Sequence, residues 1–174
     1  DAAVAALGDA LAFHLDGGAG LPPLPSLPVV LGEFVRALGG SAEGGVAFAG
    51  ANAGFPTSGI ADRIAVQARS AALASLAACF ISDGVVAPDI KPRRSRIADP
   101  LVALAWRDRA LAGASGLIAP DDIWEALSKA MRRASALREK RLLRAAVFAL
   151  KGRGRTLGPI DGDRLVRFGV SEWR

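Results

Sequence analysis

Residues 121–150 read DDIWEALSKAMRRASALREKRLLRAAVFAL, and the way this stretch folds decides the architecture. Pro120 suits the first position of a helix, and Asp121 and Asp122 suit the positive end of its dipole. At about 100° per residue, Ile123, Leu127, Met131 and Ala134 share one stripe. Leu142, Leu143, Ala146 and Leu150 share a second stripe, turned from the first by roughly 100° or more. One straight helix cannot carry both. The spacing predicts helix throughout, with a kink or turn near 135–138 and an end at Gly152 and Gly154.

Working outward, 1–16 is predicted as a helix, because Ala2, Val4, Leu7, Leu11 and Leu15 recur at helical spacing before Gly17 and Gly18. Four prolines between 21 and 28 make an extended, stiff connector. An amphipathic helix follows over 29–38, ended by Gly39 and Gly40. Residues 39–59 hold seven glycines and read as a flexible or tightly turning stretch with one short strand at 46–49. Thr57 and Ser58 offer caps for a helix over 59–81, whose Ile60, Ile64, Ala68, Ala72, Leu73, Leu76 and Phe80 fall along one face. Its alanine content marks it as the central core helix.

Pro88, Pro92 and the run 91–96 look like an exposed basic loop. Pro100, with Asp99 as cap, opens a helix to about residue 112. At the far end, 155–160 and 164–170 flank Asp161-Gly162, a type I′ dipeptide, and predict a hairpin. The fold expected is mainly α: an irregular multi-helix bundle of five to seven helices around 60–81 and 101–112, with a Gly/Pro-rich N-terminal half and a small C-terminal β-hairpin. It is expected as a single domain over 1–174, with an N-terminal segment 1–56, a helical core 57–151 and a hairpin and tail 152–174.

The chain has 174 residues, of which 51% are apolar, enough to build a core. No apolar run reaches the ~18–20 residues of a membrane span. Charge is uneven. Residues 1–87 carry three arginines against seven acids, a net of −4. Residues 88–174 carry nineteen Lys+Arg against ten acids, a net of +9, which together give the overall +5. This asymmetry points to an acidic partner for the C-terminal half. Because arginine outnumbers lysine eighteen to four, part of it is ordinary solubilising charge.

Catalytic chemistry is thin. His14 is the only histidine and Cys79, in an apolar setting, the only cysteine. One of each cannot form a usual zinc site, and a catalytic triad would have to use His14. Asp121, Asp122 and Glu125 are better explained as helix-start residues than as an acid/base pair. Asp161 and Asp163 are better explained by a turn than by a metal loop. The run 46–54 before a helix resembles the glycine turn of short-chain dehydrogenases. Phe55-Pro56 replaces its third glycine, and the chain has no tyrosine for that family's catalytic position. No catalytic, cofactor-binding or metal-ligating residues are assigned, and no cofactor is expected.

The remaining signal is cationic. Lys129, Arg133, Lys140, Arg144 and Lys151 fall within about 60° of one another on an ideal helix. Arg93, Arg94 and Arg96 add a loop, and Arg153 and Arg155 lie where a wing begins. Such a set could track phosphates. The function expected first is a non-catalytic helical interaction protein, a subunit or adaptor docking on other proteins or on its own copies. The alternative is a nucleic-acid-binding protein using these ten cations. Cytoplasmic location is the default, and the Asp1 start is compatible with a removed targeting segment.

Overall fold

The structure, a computed structural model, describes residues 2–7, 10–15, 29–38, 43–51, 57, 59–87 and 117–174. At its centre lies a strand where the sequence suggests the end of a helix. β5 (Ala145–Leu150) is buried at every position. Ala146, Phe148 and Leu150 face one apolar cluster, and Ala145, Val147 and Ala149 face another. A strand covered on both sides has no polar face, so its sequence is a continuous apolar run without period-two alternation.

β5 turns back through Lys151-Gly152 into β6 (Arg153–Leu157), pairing Leu150 with Arg153. Both turn residues have positive φ, 47° and 77°, the requirement of a type I′ turn. The Lys151 amide donates to the Asp62 carboxylate at 2.5 Å, which fixes the turn to the start of β4.

The sheet has seven strands in sequence order: β1 (Ala2–Leu7), β2 (Ala10–Leu15), β3 (Glu43–Ala49), β4 (Arg63–Ala68), β5, β6 and β7 (Glu172–Trp173). Every neighbouring pair is antiparallel except β6 and β7, which run parallel through Arg153↔Glu172 and Gly154↔Trp173.

Helices cover both faces. α1 (Val29–Ala37) lies on one side, where Phe34, Val35 and Leu38 meet Leu165 and Phe168 from two short 3₁₀ turns. The Phe168 ring lies 6.5 Å from that of Phe34 and 5.7 Å from that of Phe48. α2 (Ala71–Ser82) and α3 (Pro120–Glu139) pack on the other side against Ile64, Val66, Phe148 and Leu150. No helix among the described residues is long and apolar enough to cross a membrane.

The mainly α bundle is therefore corrected to a sheet with helices on both faces, with three α-helices among the described residues. The helix expected over 1–16 is β1 and β2. The helix expected over 59–81 is β4 followed by α2, and the break between them is capped by Ser70, whose Oγ accepts from the Leu73 amide at 3.3 Å. The helix expected over 121–150 is α3 and β5, and the chain turns at 140–144, later than 135–138.

The hairpin expected around Asp161-Gly162 is instead a 3₁₀ turn, with the Asp161 carboxylate accepting from the Asp163 amide. The actual hairpin is that of β5 and β6. The helix expected over 29–38 is present as α1, and the strand expected at 46–49 is the end of β3. The connector 21–28, the basic loop 91–96 and the helix 100–112 lie outside the described residues.

Candidate anion-binding site

Two chain reversals meet at one end of the sheet. β4 leads through Arg69 and Ser70 into α2. α3 ends at Glu139 and leads into β5. Because β4 and β5 are antiparallel neighbours, the exit of one lies beside the entry of the other. Gln67 pairs with Ala145, and the Arg144 amide donates to the Gln67 carbonyl at 2.8 Å.

The turn after α3 is a Schellman closure. The Leu142 amide donates to the Leu137 carbonyl at 2.9 Å, and the Arg141 amide to the Arg138 carbonyl at 2.9 Å. Arg141 then occupies the left-handed position, with φ 58°, which glycine usually fills.

The result is an open cavity of about 480 Å³ lined by Arg69, Arg138, Arg141, Arg144 and Leu143. All four arginines are exposed, while Leu143 is buried. No carboxylate lines it among the described residues. An adjoining cavity of about 380 Å³, sharing Arg138, is lined by Ser135, Glu139 and Leu157. α2 brings its positive end to this corner, whereas the negative end of α3 is closed by its Schellman bonds.

Of the ten anticipated cations, the cavity contains Arg144. Lys129 pairs with Glu125 at 2.9 Å and donates to the Val86 carbonyl at 3.3 Å. This pairing also holds the Glu125 carboxyl below its ordinary value near 4.5, first through the hydrogen bond from Lys129 and then through its charge. Arg133 donates to the Phe80 carbonyl at 2.6 Å and lies 4.8 Å over the Phe80 ring. It therefore caps the last turn of α2 and ties α3 to it.

Lys140 is the C-cap of α3. Lys151 lies at the other end of β5, about 23 Å from Arg144 at the rise of a strand. Beside it Arg153 binds Glu172 at 3.1 Å. The guanidinium groups of Arg153, Arg155 and Arg174 stand 5.7, 5.6 and 4.3 Å from the Trp124 ring. The buried Nε of Arg155 has no hydrogen-bond partner. The five-cation stripe is thus divided among a helix, a turn and a hairpin at opposite ends. Arg93, Arg94 and Arg96 lie outside the described residues.

Sequence reasoning missed Arg69, Arg138 and Arg141 as a group. It also missed the outer face of α2, where Ala72, Leu76 and Phe80 are exposed at positions i, i+4 and i+8. Leu76 is 70% and Phe80 49% exposed, and Val86 beyond the helix is 44% exposed. The helical spacing of these residues was readable; that their stripe points outward was not.

This fold and site define a class: a mostly antiparallel, mixed sheet between helical layers, with an arginine-lined corner and an apolar outer helix face. A family model described as AbpE bacteria matches residues 35–156, well over half of the chain, and the protein belongs to that family. No curated protein and no solved structure is a significant match to it.

Proposed function

We propose that this protein is a non-catalytic interaction protein, and that it docks an acidic amphipathic helix of a protein partner on the outer face of α2. The observation that carries this reading is the Leu76–Phe80 stripe. Singly exposed apolar residues are ordinary, but two large ones in helical register make a directed ridge. Because Leu76 is 70% and Phe80 49% exposed, covering what remains of each contributes about 1–2 kcal/mol.

The rim supplies the charge complementarity. α2 itself contains no acid or base. Arg69 stands before its first turn, and Arg133 stands over Phe80 near its last. A partner helix with apolar residues at i and i+4 and carboxylates beside them matches both features.

The test places a photo-reactive amino acid at position 76 of the full chain in cells. Cross-linked peptides are identified, and the purified partner segment is titrated against wild type and Leu76→Asp/Phe80→Asp. The expected result is an acidic amphipathic segment whose affinity falls at least about tenfold in the variant. Cross-links to a second copy of the chain, or unchanged affinity, would refute the reading.

A further inference from the structure

The arginine corner carries a separate inference, which does not depend on the docking of a partner at α2. Four guanidinium groups line one open cavity of about 480 Å³, a volume in the range of small-ligand sites. Each guanidinium offers a planar fork of donors matched to phosphate oxygens. Arg69, Arg138 and Arg141 form no ion pair or side-chain hydrogen bond that answers their charge among the described residues, and the one carboxylate nearby, Glu139, lines only the adjoining cavity. Like charges gathered this closely repel one another, so the corner is incomplete without an anion.

Arg141 adds an independent sign. It holds a left-handed backbone at a helix end where glycine is free of strain. A long cationic side chain is placed there, beside Arg138 and Arg144, at the expense of the easier residue.

The distribution of the remaining cations decides what kind of anion fits. An extended nucleic-acid backbone carries one charge per about 3.4 Å along each strand and needs cations spread along a track. Among the described residues, several cations that would extend a track also hold the fold together. Arg133 caps α2, Lys129 is held by Glu125 and the Val86 carbonyl, and Arg153 and Arg155 stack on Trp124. The four arginines that line the cavity are, by contrast, dense and confined. We infer that the cavity between the β4–α2 and α3–β5 junctions binds a compact, multiply charged phosphate group, such as a nucleotide triphosphate or the phosphorylated end of a nucleic-acid strand. Ser135, in the adjoining cavity, offers a hydroxyl to whatever the phosphates are attached to.

Calorimetric titration of the full chain at low and physiological salt tests this, with four probes: tripolyphosphate, ATP, and one short oligonucleotide with either a 5′-phosphate or a 5′-hydroxyl. Tripolyphosphate is expected to bind at low salt. Arg138→Ala and Arg144→Ala should each weaken it about tenfold, the loss typical of a charge-assisted contact. Arg132→Ala, which removes an exposed cation of α3 outside the cavity, should leave it unchanged.

ATP binding at least as tightly as tripolyphosphate identifies a free nucleotide as the source. A 5′-phosphate oligonucleotide binding well above its hydroxyl twin identifies a strand end. Failure of tripolyphosphate to bind at low salt overturns the inference. So does equal binding of the two oligonucleotides by wild type together with an equal loss in all three variants, since that is the behaviour of a diffuse backbone contact.

Discussion

Arg141→Gly is the sharpest test of the corner's construction, because it should make the protein more stable while weakening the site. In the Schellman closure of α3, Arg141 has φ 58° and its amide bonds the Arg138 carbonyl. A side chain in the left-handed region costs about 1–2 kcal/mol relative to a right-handed one. Glycine removes that strain but loses about 0.4–1 kcal/mol more entropy on folding. The difference leaves a net gain of roughly 0.5–1 kcal/mol, or about 1–4 °C in Tm for a chain of this size. Arg141→Ala is the control: it removes the charge and its repulsion by Arg138 and Arg144 but keeps the Cβ and the strain. Thermal melts by circular dichroism compare the three proteins. The expected order has Arg141→Gly highest, with Arg141→Ala at or slightly above wild type. If Arg141→Gly melts no higher than Arg141→Ala, the backbone at 141 is not strained, and the argument drawn from it fails.

Arg133→Ala should destabilise the fold by about 1–2 kcal/mol, or roughly 2–8 °C, since it uncaps the Phe80 carbonyl and removes the guanidinium over the Phe80 ring. Arg138→Ala, whose side chain lines only the cavities, should leave Tm nearly unchanged in the same melt. The Glu125 carboxyl, held below its ordinary value by Lys129, adds stability above its unfolded-state value and loses it as pH falls through the lowered folded value. In Lys129→Met its titration, followed by the NMR shift of the carboxyl carbon, should move up toward 4.5; an unmoved midpoint would refute the assigned cause.

Some of this was legible in the sequence. α1 shows its amphipathic spacing, Pro120 and Asp121 mark the start of α3, and the misaligned stripes over 121–150 do report a break in that segment. The nature of the break was not legible. Alanine fits an apolar stripe at any phase, so Ile64, Ala68, Ala72, Leu76 and Phe80 line up as one helix although Ser70 separates a strand from a helix. Ser70, three residues before Leu73, was the available signal for that boundary. Likewise Lys151-Gly152 and Asp161-Gly162 are both turn dipeptides; only strand pairing selects the first as the hairpin.

By itself the sequence determined the poverty of catalytic groups, the cationic C-terminal half, and those helices whose one wet face leaves a period in the pattern. Tertiary structure decided the rest. β5 is apolar throughout because helices cover both sides of the sheet, and a strand without a wet face has no alternation to read. Arg69 joins Arg138, Arg141 and Arg144 because β4 and β5 are antiparallel neighbours. Residues separated by so much chain share a cavity through sheet pairing, which no local pattern encodes. The same packing gave Arg133 and Lys129 to the α2–α3 junction, where each donates to a backbone carbonyl.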